Sequence, residues 1–140
     1  MHCSATQPTS DIGVDEIDQW HRARTPPFDM IGYHAVIRRS GEIEFGRHFD
    51  DGGAHVIGHN FRSVGICLVG GVDAAGEPEN NFTAEQFESL RALIDMLQRA
   101  YPNATALGHR DLSPDIDGDG LVSEAEWLKD CPCFDVRDWL

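Results

Sequence analysis

The sequence predicts an α/β fold, a single domain over residues 1–140 with a mixed central β-sheet flanked by helices. Three observations carry that expectation. Ser63-Val64-Gly65-Ile66-Cys67-Leu68-Val69 is an almost wholly apolar run of strand length, the pattern of a strand buried on both faces of a sheet. Residues 33–38 and 42–46 read as two strands joined across the Ser40-Gly41 turn, a hairpin. Segments of helical periodicity stand on either side of these strands, so helices are available to cover the sheet.

In chain order, Val14, Ile17 and Trp20 recur at helical spacing between Asp11 and Arg24, which predicts a short amphipathic helix ended by Thr25-Pro26-Pro27. Residues 50–61 are rich in Gly and His without periodicity and read as a surface loop. The longest helix is expected over 84–100. Thr83 caps it, Gln86 stands at the reciprocal capping-box position, and Phe87, Leu90, Leu93, Ile94 and Leu97 form its apolar stripe. Pro102-Asn103 breaks the chain before a short strand predicted over 104–108. A polar segment, 111–127, then reads as an insertion within the domain.

Composition narrows the function classes. The 140 residues carry 11 Lys+Arg against 24 Asp+Glu, a formal net charge of −13, with 41% hydrophobic residues. That is a globular composition, and a chain of this length buries a core without disulfide staples. The acidity argues against nucleic-acid partners, whose phosphates need Lys and Arg, and against docking on an anionic membrane. No apolar run approaches the roughly 20 residues of a membrane span, and the N-terminus lacks a charged-then-apolar leader pattern. Of the four cysteines, Cys67 lies in the apolar run and reads as core. Cys131 and Cys133 straddle Pro132, and with seven histidines elsewhere they raise metal binding.

One motif is legible inside the insertion. Residues 115–126 fit the twelve-residue EF-hand loop: Asp115, Asp117 and Asp119 at positions 1, 3 and 5, Gly120 at the sharp turn, the Leu121 carbonyl at 7, Ser123 at 9 and Glu126 at 12. Hard oxygen donors in this number suit calcium. The flanking helix pair is missing, since Arg110–Pro114 is too short to be an entering helix, so the expected role is structural.

Read unaided, the remaining chemistry-bearing residues are His2, His109, Cys131 and Cys133, with Tyr33, His34 and Lys129 in company. They are too far apart in sequence for a short-spaced metal motif. The Lys129-Asp130-Cys131-Pro132 turn is expected to set a cation beside a thiolate and lower its pKa.

Six blocks in this order then identify a family: His2-Cys3-Ser4-Ala5-Thr6, Gly32-Tyr33-His34, Gly53-Ala54-His55, Ser63 to Gly71, Gly108-His109-Arg110-Asp111, and Lys129 to Asp135. Together they resemble the N-acetylmuramoyl-L-alanine amidases of the phage-lysozyme type, relatives of the peptidoglycan recognition proteins. The resemblance implies a zinc hydrolase that cuts the amide between N-acetylmuramic acid and L-alanine of the peptidoglycan stem. It implies zinc ligands at His2, His109 and Cys131 and catalytic polar groups at Tyr33 and Lys129. Two imidazoles and a thiolate leave a fourth tetrahedral position, as catalytic zinc requires. Lys129 and Tyr33 would then serve the developing oxyanion, or Tyr33 would orient the attacking water.

The resemblance also implies that His55 faces the substrate groove. His34, on the opposite strand face from Tyr33, is either support for the site or core, and is carried with His55 as a substrate-side candidate. Asn60 and Arg62 are further candidates for glycan or peptide contact. Cys133 is a competitor for the metal, although the matched position is Cys131. In the family the first zinc histidine ends a buried strand, whereas one residue precedes His2; either that strand lies outside this sequence or the edge of the site is built differently. The expected partner is a peptidoglycan muropeptide, met by a monomer made without a signal peptide and acting on the wall after release or delivery. A non-catalytic peptidoglycan-binding protein of the same fold is the alternative, and retention of Cys131, Tyr33 and Lys129 argues against it. A calcium-binding regulatory module would need paired EF-hand loops, and there is one.

Overall fold

The apolar run at 63–69 becomes the middle of the sheet, and everything else is arranged about it. The computed structural model describes residues 1–140. Its elements run β1 (His2–Cys3), α1 (Val14–Arg22), β2 (Ala35–Ile37), β3 (Ile43–Phe45), β4 (Ile66–Leu68), α2 (Ala84–Ala100) and α3 (Val136–Trp139), with single 3-10 turns at Asn60–Arg62, Arg110–Leu112 and Glu124–Glu126. The strands form one mixed sheet in the order β1-β4-β2-β3. β4 pairs in parallel with β1 on one side and β2 on the other, and β2 pairs antiparallel with β3 through the predicted hairpin.

Side-chain alternation along these strands builds two cores. Ile66 and Leu68 lie opposite Ala35 and Ile37 in the ladder and face α2 and α3, where Leu90, Leu93, Ile94, Phe134 and Val136 complete a cluster. Cys67 lies opposite Val36 and faces the other way, packing with Ile17 of α1, Ile31 and Val69. Cys67 is therefore a core residue, as its apolar neighbours predicted.

α2 has the predicted bounds and the predicted capping box. The Gln86 N–H donates to Thr83 Oγ1 at 3.1 Å, and the Thr83 N–H donates back to Gln86 Oε1 at 3.0 Å. Gln86 does more than cap. It is wholly buried, and its Nε2 donates to the carbonyls of Ile37 (3.0 Å) and Val69 (2.9 Å), tying the start of α2 to the ends of β2 and β4. Gln86→Leu keeps the bulk and removes both of these bonds together with the one that Oε1 makes to the Thr83 N–H, so it is expected to lower stability by about 2–4 kcal/mol, read from denaturant unfolding.

Two sequence expectations need correction. Trp20 is 47% exposed and does not join the buried stripe of α1. Its place is taken by His21, four residues after Ile17, whose ring packs on Phe28 and Tyr33 and whose Nδ1 accepts the Gly32 N–H at 2.8 Å. The strand predicted over 104–108 does not form. That stretch has only Met1 beside it: the His109 N–H donates to the Met1 carbonyl at 3.0 Å and the Met1 amine donates to the Leu107 carbonyl. One neighbouring residue supplies no ladder.

Candidate metal centre and active site

β1 is short but well held. His2 stands in register with Cys67 of the central strand and is 2% exposed, so one strand turn fixes its ring against the sheet edge. His109 comes from the opposite end of the chain. Asp111 Oδ2 accepts the Gly108 N–H at 2.7 Å and tightens the turn that presents His109. Cys131 arrives on the segment beyond the insertion, with the Cys3 N–H donating to its Sγ at 3.3 Å and the Arg110 N–H to its carbonyl at 2.9 Å. Ligand-capable atoms of His2, His109 and Cys131 all lie within 4.8 Å of one another, and the His2 and His109 ring centroids are 4.8 Å apart.

The donor set fits zinc: two imidazole nitrogens and one soft sulfur from three separate segments, all near one point. Burial, aided by the positive amino terminus and by His55, His109 and Lys129, holds His2 well below the ordinary histidine pKa, so its ring is neutral and able to ligate. Cys131 behaves oppositely to the sequence expectation. The adjacent Cys3 thiol, 3.7 Å away, and burial push its pKa up, while Lys129 is exposed and too well solvated to offset them. In the absence of a cation Cys131 is a thiol, and ligation must displace its proton.

Tyr33 packs on His2, with ring centroids 5.1 Å apart. Burial raises its pKa well above that of free tyrosine, so it remains a neutral hydroxyl donor throughout the physiological range. His55 and His34 lie one behind the other. His55 Nδ1 sits 3.0 Å from His2 Nε2, at the ring nitrogen that faces away from Cys131, whose Sγ is 4.0 Å from His2 Nδ1. His55 therefore steadies His2 while it also borders the groove. Gly53 and Gly65 leave room for its imidazole, since a Cβ at either position would overlap the ring. His34 is wholly buried; its Nδ1 accepts the Gly65 N–H at 2.9 Å and its Nε2 lies 3.1 Å from the Asp51 carbonyl. The expectation of a substrate-side His34 gives way to a residue that pins the 51–65 loop to the sheet from below. Asn60 is likewise a loop builder, its Oδ1 accepting the N–H groups of His55 (2.8 Å) and Val56 (2.9 Å).

A groove of about 560 Å³ opens from His2, His55 and His109. One wall is apolar, with Val64, Ile66, Ile94 and Leu97, and Arg62 and the fully exposed Phe61 stand on its rim.

Sequence reasoning missed Arg110. Its guanidinium is almost buried, donates to Asp130 and Asp135 at 3.1 Å each, and lies 4.1 Å over the Trp127 ring. It clamps both flanks of Cys131. Its position beside His109 was visible in sequence, but its partners lie 20 and 25 residues away.

In the insertion, Asp115, Asp117 and Glu126 bring carboxylate oxygens within 4.8 Å of one another. Glu126 is the hub, accepting the N–H groups of Ile116 and Ser123 at 2.7 Å each and the Ser123 hydroxyl at 2.9 Å, which holds its pKa down to about 2. Asp119 stays outside that group and accepts the Leu121 N–H at 2.8 Å. Gly118 and Gly120 take positive φ, as the tight loop requires. No α-helix flanks the loop.

Comparison with known proteins gives the geometry its context. The profile described as N-acetylmuramoyl-L-alanine amidase matches residues 1–132. The chain is 45% identical over 139 residues to the endolysin of Klebsiella phage KP32, covering 99% of this chain and 82% of that protein. It is 39% identical over 139 residues to the endolysin of Escherichia phage T7, with the same coverage of both. Among solved structures, the N-acetylmuramoyl-L-alanine amidase LysC from Clostridium intestinale URNW superposes with a TM-score of 0.72 at 28% identity, over 96% of this chain and 74% of that one. A profile spanning nearly the whole chain, relatives matched along most of their length, and a shared fold lead to one conclusion: the chain belongs to the N-acetylmuramoyl-L-alanine amidase family.

Proposed function

We propose that this protein is a zinc-dependent amidase that hydrolyses the bond between N-acetylmuramic acid and L-alanine in peptidoglycan. The observation that carries the reading is the convergence of His2, His109 and Cys131 at the head of an open groove. These three residues would hold the ion. The chemistry zinc would supply there is Lewis acidity and a lowered pKa for water. The chain's own groups supply the rest. Tyr33, kept neutral by burial, donates a hydrogen bond to the carbonyl oxygen as charge develops there, and exposed Lys129, whose charge acts on His2, adds positive potential to the site. The apolar wall of the groove excludes water from one side of the bound stem.

His55 is a positioning residue for His2 on this reading. His55→Ala is expected to weaken zinc binding by about 10–100-fold, measured by competition with a chromogenic chelator, because loss of a ligand's outer partner typically costs that much.

No helix is long and apolar enough to cross a membrane. The protein is proposed to act as a monomer on muropeptides of the cell wall after release or delivery, as an endolysin does. Incubation with purified muropeptides, with and without zinc, tests the activity: mass spectrometry should detect free stem peptide only with the metal. Binding of muropeptides with no release in either condition would instead support a non-catalytic wall-binding protein.

The finer reading of loop 115–126 is a structural calcium site, supported by the EF-hand spacing and the grouping of Asp115, Asp117 and Glu126. Calcium at a hundred times its Kd should stabilise the fold by about 2.7 kcal/mol, seen as a rise in Tm that Asp115→Ala removes. A melting curve indifferent to millimolar calcium would eliminate the site.

A further inference from the structure

Three of the four cysteines meet at one place, and a metal centre at His2, His109 and Cys131 uses only one of them. Cys3 Sγ lies 3.7 Å from Cys131 Sγ on one side and 3.8 Å from Cys133 Sγ on the other. The sulfurs of Cys3 and Cys133 share the space over Gly71, where an added Cβ would fall 2.9 Å from the first and 3.5 Å from the second. Cys133 is held there by an unusual backbone, φ +73° in a non-glycine residue, which turns its side chain back toward β1. Its Sγ also lies 3.1 Å from the carbonyls of Gly71 and Asp130. Cys131 is buried, whereas Cys3 and Cys133 are both partly exposed.

We propose that Cys3 and Cys133 are a redox pair that closes to a disulfide beside the metal centre, leaving Cys131 to the ion. The oxidant class is a small-molecule disulfide. Cys133, partly exposed and without a contact to Cys131, attacks it as thiolate, forms a mixed disulfide and releases one small thiol. Cys3 then attacks the Cys133 sulfur, and the second small thiol leaves. Two cysteine protons end on the two released thiols, the protein dithiol is oxidised by two electrons, and the reagent is reduced by two. Bond formation closes the 3.8 Å gap between the two sulfurs to about 2.05 Å.

The bond has two consequences. It removes the Cys3 thiol hydrogen that is shared with Cys131 Sγ, freeing that sulfur for the metal. It also ties β1 to the segment that carries Cys131, so His2 and Cys131 are fixed together across almost the whole chain. The preference for Cys133 over Cys131 rests on reading Cys131 as a metal ligand; the proximity of Cys3 to Cys133 does not.

The test uses the zinc-loaded full chain equilibrated with oxidised glutathione. Expected results are loss of the mass of two hydrogens, two alkylatable thiols remaining, a Cys3–Cys133 linkage on peptide mapping, retention of one equivalent of zinc and a Tm higher by roughly 5 °C. Cys3→Ala and Cys133→Ala should each retain zinc and stop at a glutathione adduct on the remaining partner. A Cys3–Cys131 linkage with release of zinc, or four thiols still alkylatable, would overturn the proposal. A chain that forms the Cys3–Cys133 linkage yet never holds zinc supports the pair and removes the metal reading, so the two failures are distinguishable.

Discussion

Cys131→Ser is expected to abolish zinc binding and peptidoglycan hydrolysis while leaving the metal-free fold intact. The hydroxyl is close in size to the thiol, and the N–H groups that approach it, from Cys3 to the sulfur and from Arg110 to the carbonyl, remain in place. The donor is what changes. A serine hydroxyl does not ionise at neutral pH and is a poor ligand for zinc, so the three-residue set falls to two imidazoles. Loss of a ligand must cost more than loss of its supporting partner, hence more than about a hundredfold in affinity. The melting temperature reports it independently of activity. Saturating zinc at a thousand times Kd stabilises the parent by about 4 kcal/mol, and the variant should gain almost none of that. Equal zinc stoichiometry in parent and Cys131→Ser, measured by metal analysis after gel filtration, would sink the assignment of the centre.

The second large effect is expected at a residue that touches neither metal nor substrate. Arg110→Ala removes charged hydrogen bonds to Asp130 and Asp135 together with the stacking over Trp127. The two carboxylates are partly solvated, with 35% and 46% side-chain exposure, so their contribution is discounted from that of a fully buried pair. What remains is two charge-assisted bonds to a nearly buried guanidinium and a cation–π contact, together about 2–4 kcal/mol. For a chain of this size that lowers Tm by roughly 5–15 °C. Because the clamp spans Cys131, zinc affinity should fall alongside stability. Circular dichroism melts and chelator competition measure the two separately, and a Tm within a degree of the parent would show that the clamp is idle.

These two residues mark what was legible and what was not. Cys131 is legible in sequence as a candidate because its neighbours form a recognisable block and because a thiol near scattered histidines is chemically conspicuous. Arg110 sits in an equally recognisable block, yet nothing local distinguishes it from a surface arginine. Its importance comes from burial and from partners delivered by the segment after the insertion. His55 shows the same limit: the Gly53-Ala54-His55 block pointed to the groove, and its contact with His2 Nε2 depends on how a loop folds over the sheet. The sign of the Cys131 pKa shift departs from the sequence expectation for a related reason. Lys129 is near in sequence but exposed, whereas the thiol of Cys3, 128 residues away, lies 3.7 Å from the Cys131 sulfur.

The sequence by itself determined the elements whose signals are local. The two segments across the Ser40-Gly41 turn and the apolar run defined the hairpin and β4, and the Thr83–Gln86 box with its apolar stripe defined α2, because turns, capping and periodicity act within a few residues. Six ordered blocks also determined the family. Only the tertiary structure decided what depends on distant partners. It denied a strand to 104–108 for lack of a ladder, replaced Trp20 by His21 on the buried face of α1, moved His34 beneath the groove, and gathered the thiols of Cys131 and Cys133 about that of Cys3. Hydrogen bonds, packing and electrostatics act over a few ångströms of space, and the chain path alone sets which residues lie that close.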